Sequence, residues 1–309
     1  MIRTLSTREF FVSQYEVLKL AAATDGTREN YVTALNHLRD FRGGKDPLLQ
    51  ELDEEMLAGG MARLLKEGRS PATANSFRRH IMAIWRYAKK RGFVADVPEV
   101  DPVRQPKRVP RAKLISEIGR ILQAASREPG FVGQVPARWW WTALVLLIYD
   151  TGLRISAVMA LRWEHFDPVA ATIFADADTQ KQDADQLLPL SPQTIAALEH
   201  LRGDDPLMFP WPYDHWGRQW PTLNRRFRRI LRRAGLPATR KDLFHSLRKS
   251  TASYLKAGGG DPTWQLGHSS QQVTIVYLDP RIVKPPRQVD LLPRPKQPPP
   301  DDDGQRRLF

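Results

Sequence analysis

The sequence predicts a mainly α-helical protein with one small antiparallel β element. It is laid out as a helical N-terminal domain followed by a mixed α/β domain. Three observations predict this. Apolar residues recur at the 3.6-residue helical period in most segments. Only two short runs, Thr172-Ile173-Phe174 and Leu187-Leu188, read as strands. A proline-studded basic stretch separates the two halves, and 309 residues fit two domains of roughly 100–200 residues each.

The N-terminal elements carry their own start and stop signals. Ser6 with Glu9 forms a capping box that opens the first helix. Tyr31, Leu35 and Leu38 mark a second, stopped by Gly43-Gly44. Glu54 to Lys66 is a third, weakened by Gly59-Gly60. The fourth has Ser70 as N-cap and Pro71 at the first helical position, where a missing N–H costs nothing. Phe77, Ile81, Ile84, Trp85 and Ala88 line one face, and Gly92 ends it. Arg78, Arg79, Arg86, Lys89 and Lys90 lie elsewhere on that helix. They read either as a solvated face or as a row of phosphate contacts.

Val97 to Arg111 carries Pro98, Pro102, Pro106 and Pro110 among basic residues, the pattern of an extended linker. The domain break is placed there, giving 1–105 as the helical domain, 106–284 as the mixed α/β domain and 285–309 as a proline-rich tail expected to be disordered. The second domain opens with a helix near Ser116 to Ala125. An apolar helix follows from about Ala137 to Tyr149, then the turn Asp150-Thr151-Gly152-Leu153-Arg154 and a short helix to Leu161. The two strands come next, facing each other across a polar turn, and Pro192 opens another helix. Leu223, Phe227, Ile230, Leu231 and Ala234 mark the apolar face of a further helix. Its other positions hold Arg225, Arg226, Arg228, Arg229, Arg232 and Arg233. Arginines so crowded repel one another unless an anion neutralises them, and a DNA backbone would do so.

Composition agrees with that reading. Lys plus Arg outnumber Asp plus Glu by 47 to 34, and the net charge of +13 suggests a polyanionic partner. The absence of cysteine removes disulfides, thiol nucleophiles and cysteine-based zinc sites, and fits a cytoplasmic protein. Met1 to Phe10 has no apolar run of signal-peptide type. Trp139 to Tyr149 is too short to span a bilayer, so no membrane partner is expected.

Four separated pieces remain. They are Thr151-Gly152-Leu153-Arg154 with Ala160-Leu161-Arg162-Trp163; Lys181 in the strand–turn–strand segment; His245-Ser246-Leu247-Arg248; and Leu266-Gly267-His268-Ser269-Ser270 followed by Tyr277. Each alone is a short motif of low specificity. In this order, at these spacings and in this basic context, the segment from Lys113 to Asp279 resembles the catalytic domain of the tyrosine recombinase (phage integrase) family. The N-terminal helices look like that family's core-binding domain.

The resemblance implies a site-specific recombinase that cuts DNA through a 3′-phosphotyrosyl bond to Tyr277 and needs no ATP, metal or other cofactor. Its candidate catalytic set is Arg154, Lys181, His245, Arg248, His268 and Tyr277. Two arginines suit this chemistry because their paired donors can grip non-bridging phosphate oxygens and stabilise the charge that grows on them. Lys181 matches the family's acid for the leaving 5′-oxygen. The histidines can hydrogen-bond phosphate or move the tyrosine proton. Arg78, Arg79, Arg86, Lys89, Lys90, Arg225, Arg226, Arg229, Arg232 and Arg233 are the candidate DNA contacts. Both domains are expected to clamp duplex DNA, on which a homo-oligomer, by resemblance a tetramer, would assemble.

The sequence departs from the family pattern at Ala157 and Ser246, where acidic residues are usual, and surrounds Lys181 with Asp176, Asp178, Asp183 and Asp185. Those departures motivate an alternative: a cleavage-deficient DNA-binding regulator or architectural protein of the same fold. A type IB topoisomerase shares the chemistry and is the third reading.

Overall fold

The computed structural model describes residues 5–106, 109–180, 184–212 and 216–284. Contacts divide the chain into two units, Met1–Lys107 and Arg108–Phe309, each built around its own apolar core. Lys181 and the proline-rich tail at 285–309 lie outside the described residues.

In the first unit, helix α1 begins at Thr7–Phe10, widens into a π-turn over Phe11–Glu16 and closes on Val17–Lys19. Its capping box is present, with Ser6 and Glu9 satisfying each other's backbone donors. Helices α2 (Asp25–Phe41), α3 (Glu54–Lys66) and α4 (Pro71–Lys90) follow. The glycines in α3 have a packing cause. A Cβ at Gly60 would meet the Phe77 ring at 2.9 Å, and one at Gly59 would meet the Phe41 ring at 2.6 Å. Without side chains there, both rings pack directly against the α3 backbone.

The predicted linker is extended, but its first part is docked. Asn75 on α4 donates to the Val103 carbonyl and accepts from its N–H, and Val100 is buried. Arg78 is used in the same contact, donating Nε to the Val100 carbonyl. Arg78 therefore ties the connecting segment to α4 through its Nε. Lys89 is paired with Asp96. Arg79, Arg86 and Lys90 are exposed and follow one another at helical spacing along α4.

The second unit opens with α5 (Ile115–Ala125) and a hairpin of β1 (Phe131–Val132) and β2 (Val135–Pro136), which local periodicity was too short to reveal. Helix α6 (Ala137–Thr151) is the hub of its core, with Trp140, Trp141, Leu144, Val145, Leu147 and Ile148 all fully buried. A helix apolar on all sides belongs at such a centre. It is followed by α7 (Ile155–Met159) and a three-stranded antiparallel sheet of β3 (Phe166–Asp167), β4 (Thr172–Ala175) and β5 (Gln186–Pro189) in sequence order. Ile173 faces Leu188 and Phe174 faces Leu187, so the two predicted strands pair, and β3 adds an edge too short to signal itself. Helices α8 (Pro192–Glu199), α9 (Trp216–Arg233), α10 (Phe244–Ala257), α11 (Pro262–Gln265) and α12 (Gln271–Ile275) complete the unit. Helix α9 starts ahead of the apolar stripe that predicts it and includes Pro221. No helix among the described residues is long and apolar enough to cross a membrane.

Candidate active site

The turn after α6 brings two arginines to one place. Gly152 caps α6 in the left-handed conformation, with φ of +67°. A Cβ there would also meet the Leu266 side chain at 2.5 Å. The chain then reverses, and Arg154 becomes the extended residue preceding α7. The Gly152 carbonyl accepts from Arg248 Nη1 of α10 at 2.5 Å. Gly152→Ala should cost about 2–4 kcal/mol, from left-handed strain plus overpacking against Leu266. Chemical denaturation measures this, and strand cleavage should fall with it because the Arg248 anchor moves.

Arg248 is 2% exposed. Its Nη2 donates to the Leu266 carbonyl at 2.8 Å and to His268 Nε2 at 3.0 Å. Its Nε is buried and meets no acceptor among the described residues. Desolvation and the nearby Arg154 charge pull its pKa down to about 10, against the favourable influence of the Tyr277 side chain. It remains charged at neutral pH. Tyr277, partly buried beyond α12, lies with its ring centre 5.6 Å from the Arg248 guanidinium carbon. The His245 ring is 5.0 Å from that ring edge-on, and the His268 ring is 4.7 Å away. Thus His245 and Arg248 of α10, His268 after α11 and Tyr277 after α12, four residues on three segments, converge within one unit. Arg154 joins them through its charge, which acts on Arg248 and both histidines.

The segment carrying Tyr277 is pinned on both sides of the ring. Ser253 Oγ of α10 donates to the Tyr277 carbonyl and accepts from the Asp279 N–H. The Asp279 carboxylate, buried, accepts from the Ala112 N–H at 2.7 Å and from Arg281. Gln265 bonds the Asp150 and Thr151 carbonyls, holding the His268 loop to the arginine turn. These hydrogen bonds hold the candidate site's segments together, and the sequence does not announce them, since a lone Ser, Asp or Gln carries no local pattern. Lys249 was also passed over, and its charge bears on His245.

Both histidines are held neutral. Desolvation, then repulsion from Lys249, Arg248 and Arg154, lowers His245 to about 4, although the residue keeps an exposed edge. Desolvation, then Arg248, Arg154 and His245, lowers His268 to about 4. Depressed histidines bind fewer protons folded than unfolded between pH 4 and 6.5. Stability should therefore rise as pH rises through that window and level off above it. Melting temperatures taken from pH 4 to 7.5 test this, with a shallower rise expected in His268→Asn.

The departures at Ala157 and Ser246 find other roles. Ala157 is packed in the core, and Ser246 Oγ bonds the Asp242 and Leu243 carbonyls at the start of α10. Around the Lys181 turn, Asp185 accepts from the Ala177 N–H and Asp176 from the Asp178 N–H. Two of the four carboxylates therefore serve as backbone caps. On α9, Arg229 and Arg233 both pair with the buried Glu128 carboxylate. An internal carboxylate thus supplies part of the neutralising anion that these crowded arginines require. Arg226 lies over the Trp211 ring, while Arg225 and Arg232 are exposed. Among the described residues no three His, Asp or Glu side chains group as a metal set.

Comparison with known proteins places this arrangement. The profile of the phage integrase family matches residues 115–282, and that of the phage integrase SAM-like domain matches residues 8–100. A tyrosine recombinase XerD of Caulobacter vibrioides is 28% identical over 273 residues, covering 83% of this chain and 86% of the relative. A putative tyrosine recombinase XerC of Pseudomonas aeruginosa is 24% identical over 169 residues, and the match spans only 39% of that relative's length. The fold is shared with a lambda integrase dimer bound to a COC′ core site, at 20% identity and a TM-score of 0.67, covering 90% of this chain and 78% of that one. It is also shared with the Tn1549 transposon integrase in complex with a circular intermediate DNA, at 14% identity and a TM-score of 0.69, covering 89% and 95%. With one family profile matching more than half of the sequence and a second matching most of what precedes it, the chain belongs to the phage integrase family of tyrosine recombinases.

Proposed function

We propose that this protein is a site-specific DNA recombinase that cleaves and rejoins DNA strands through a covalent bond to Tyr277. The observation that carries the reading is the gathering of Tyr277, Arg248, His245 and His268 around one point, with the Arg154 charge beside them. In the cleavage step the Tyr277 oxygen bonds to phosphorus and the bond from phosphorus to the 5′-oxygen breaks. The phenol proton leaves to a base, and the 5′-oxygen takes a proton, for which Lys181 is the candidate donor. His268 Nε2 already accepts from Arg248, so His245 is the histidine open to receive the phenol proton. An incoming phosphate offsets the Arg154 and Arg248 charges that depress His245 and so raises its proton affinity. Attack by a 5′-hydroxyl on the phosphotyrosyl bond reverses the step, and no ATP is needed.

The first unit supplies Arg79, Arg86 and Lys90, and α9 supplies Arg225 and Arg232, as duplex contacts. Recombination joins two DNA partners, so we propose a homo-oligomer, by analogy a tetramer, assembled on DNA inside the cell. Integrases of this fold have been solved as dimers and tetramers on DNA. The test is covalent trapping on nicked duplexes from DNA flanking the gene, where the freed fragment diffuses away after cleavage. A protein–DNA adduct that survives denaturation supports the reading. Specific binding without an adduct favours the regulatory alternative.

Glu128→Gln probes the α9 assignment. Releasing Arg229 and Arg233 from their internal partner should steepen the salt dependence of DNA binding by about one to two counterions. Fluorescence anisotropy across a salt series measures it. An unchanged slope would remove that end of α9 from the DNA interface.

A further inference from the structure

We propose that Thr274, backed by Thr263, is a positioning residue that locks His268 in the tautomer bearing its proton on Nδ1. The starting observation is an inversion of ordinary packing. Thr274 is the only buried residue of α12, at 3% exposure, while Val273 and Ile275 beside it are 41% and 61% exposed. Packing alone would be served by valine, which has the same shape, so the hydroxyl is what this position uses.

That hydroxyl sits in a chain whose proton directions are fixed by donor arithmetic. A guanidinium only donates. His268 Nε2, 3.0 Å from Arg248 Nη2, must therefore present a lone pair. The ring proton is then on Nδ1, which faces Thr274 Oγ1 at 3.0 Å. With its oxygen accepting, the Thr274 hydroxyl donates onward to Thr263 Oγ1 at 3.1 Å, with the Ser270 carbonyl as a longer alternative at 3.4 Å. Thr263 also fixes the loop, its carbonyl accepting from the His268 N–H at 2.9 Å. The chain runs Arg248 to His268 to Thr274 to Thr263 in one direction. Reversing the tautomer would set two donors, Nε2–H and Arg248 Nη2–H, against each other in a buried site. Thr274 thereby holds the Arg248 fork in place through the His268 ring, while its backbone carbonyl accepts from the Tyr277 N–H at 2.8 Å, a contact that side-chain substitution leaves in place.

The inference rests on the proposed function only for its effect on cleavage; the tautomer is read in the DNA-free protein. The experiment is a long-range 1H–15N correlation on the full chain with 15N-histidine at neutral pH, the His268 signals assigned by their loss in His268→Asn. Wild type should show the Nδ1–H tautomer. Thr274→Val takes the acceptor from Nδ1–H, so the His268 ring signals should leave the wild-type pattern, and Thr274→Ser should restore it. Thr263→Val should fall between, because the Ser270 carbonyl can take over as acceptor. On a trapping substrate, Thr274→Val should slow cleavage by about 10- to 100-fold, part of the acid–base contribution. Its DNA affinity should stay within about twofold, since no phosphate contact is removed. An Nε2–H tautomer in wild type overturns the proposal without any variant having to fold. So does a Thr274→Val spectrum identical to wild type. A wild type with the Nδ1–H tautomer but no cleavage would overturn the proposed function and leave the positioning inference standing.

Discussion

Tyr277→Phe is expected to bind DNA as wild type does and to form no covalent adduct, with cleavage reduced by more than about 10⁴-fold because the nucleophilic route is closed. The substitution removes one oxygen and keeps the ring that packs against His245, His268 and the Arg248 guanidinium. Folding should be affected by less than about 1 kcal/mol, as for a substitution that leaves packing intact. Gel shift, thermal melting and denaturing electrophoresis of the trapped complex separate the three quantities. A variant that still forms the adduct would remove Tyr277 from the chemistry, and one that fails to bind would give the hydroxyl a recognition role instead.

Arg248→Lys carries the second large effect. The guanidinium reaches the Gly152 and Leu266 carbonyls and His268 Nε2 at once, in directions fixed by its planar fork. An ammonium is a point donor on a flexible stem and cannot reproduce that geometry. Single-turnover cleavage should fall by about 10²–10³-fold, the scale of losing preorganised stabilisation of a developing anion. Stability should fall by about 1–3 kcal/mol, because buried acceptors lose partners. Retained charge with lost activity would show that orientation, more than charge, is what the site takes from Arg248. Lysine at wild-type rates would contradict the role assigned to the fork.

Much of this fold is legible in the sequence. The α4 start at Ser70-Pro71, the capping box at Ser6 and Glu9, and the apolar stripe of α9 are local signals, and local signals survive folding. The pairing of Ile173 with Leu188 followed from two short β-rich runs across one turn. What was hidden depends on residues far apart in sequence. The Glu128 side chain lies about a hundred positions from Arg229 and Arg233, so six crowded arginines looked uncompensated. Arg78 looked like one more surface cation because the carbonyl it holds belongs to an extended segment. Gly59-Gly60 looked like a weakness in a helix until the Phe41 and Phe77 rings filled the space. In the site, the arginine, histidine and tyrosine motifs could be named from their order. The supports could not, because Thr274, Ser253, Gln265 and Asp279 act through single long-range hydrogen bonds with no periodicity to announce them.

In the proposed reaction Tyr277 itself becomes joined to DNA. The most direct measurement digests the trapped complex with nuclease and protease and locates the nucleotide remnant by mass spectrometry. The expected result is a single modified peptide, carrying a phosphotyrosine-linked nucleotide at Tyr277. A remnant on any other residue, or an adduct that persists in Tyr277→Phe, would contradict this assignment.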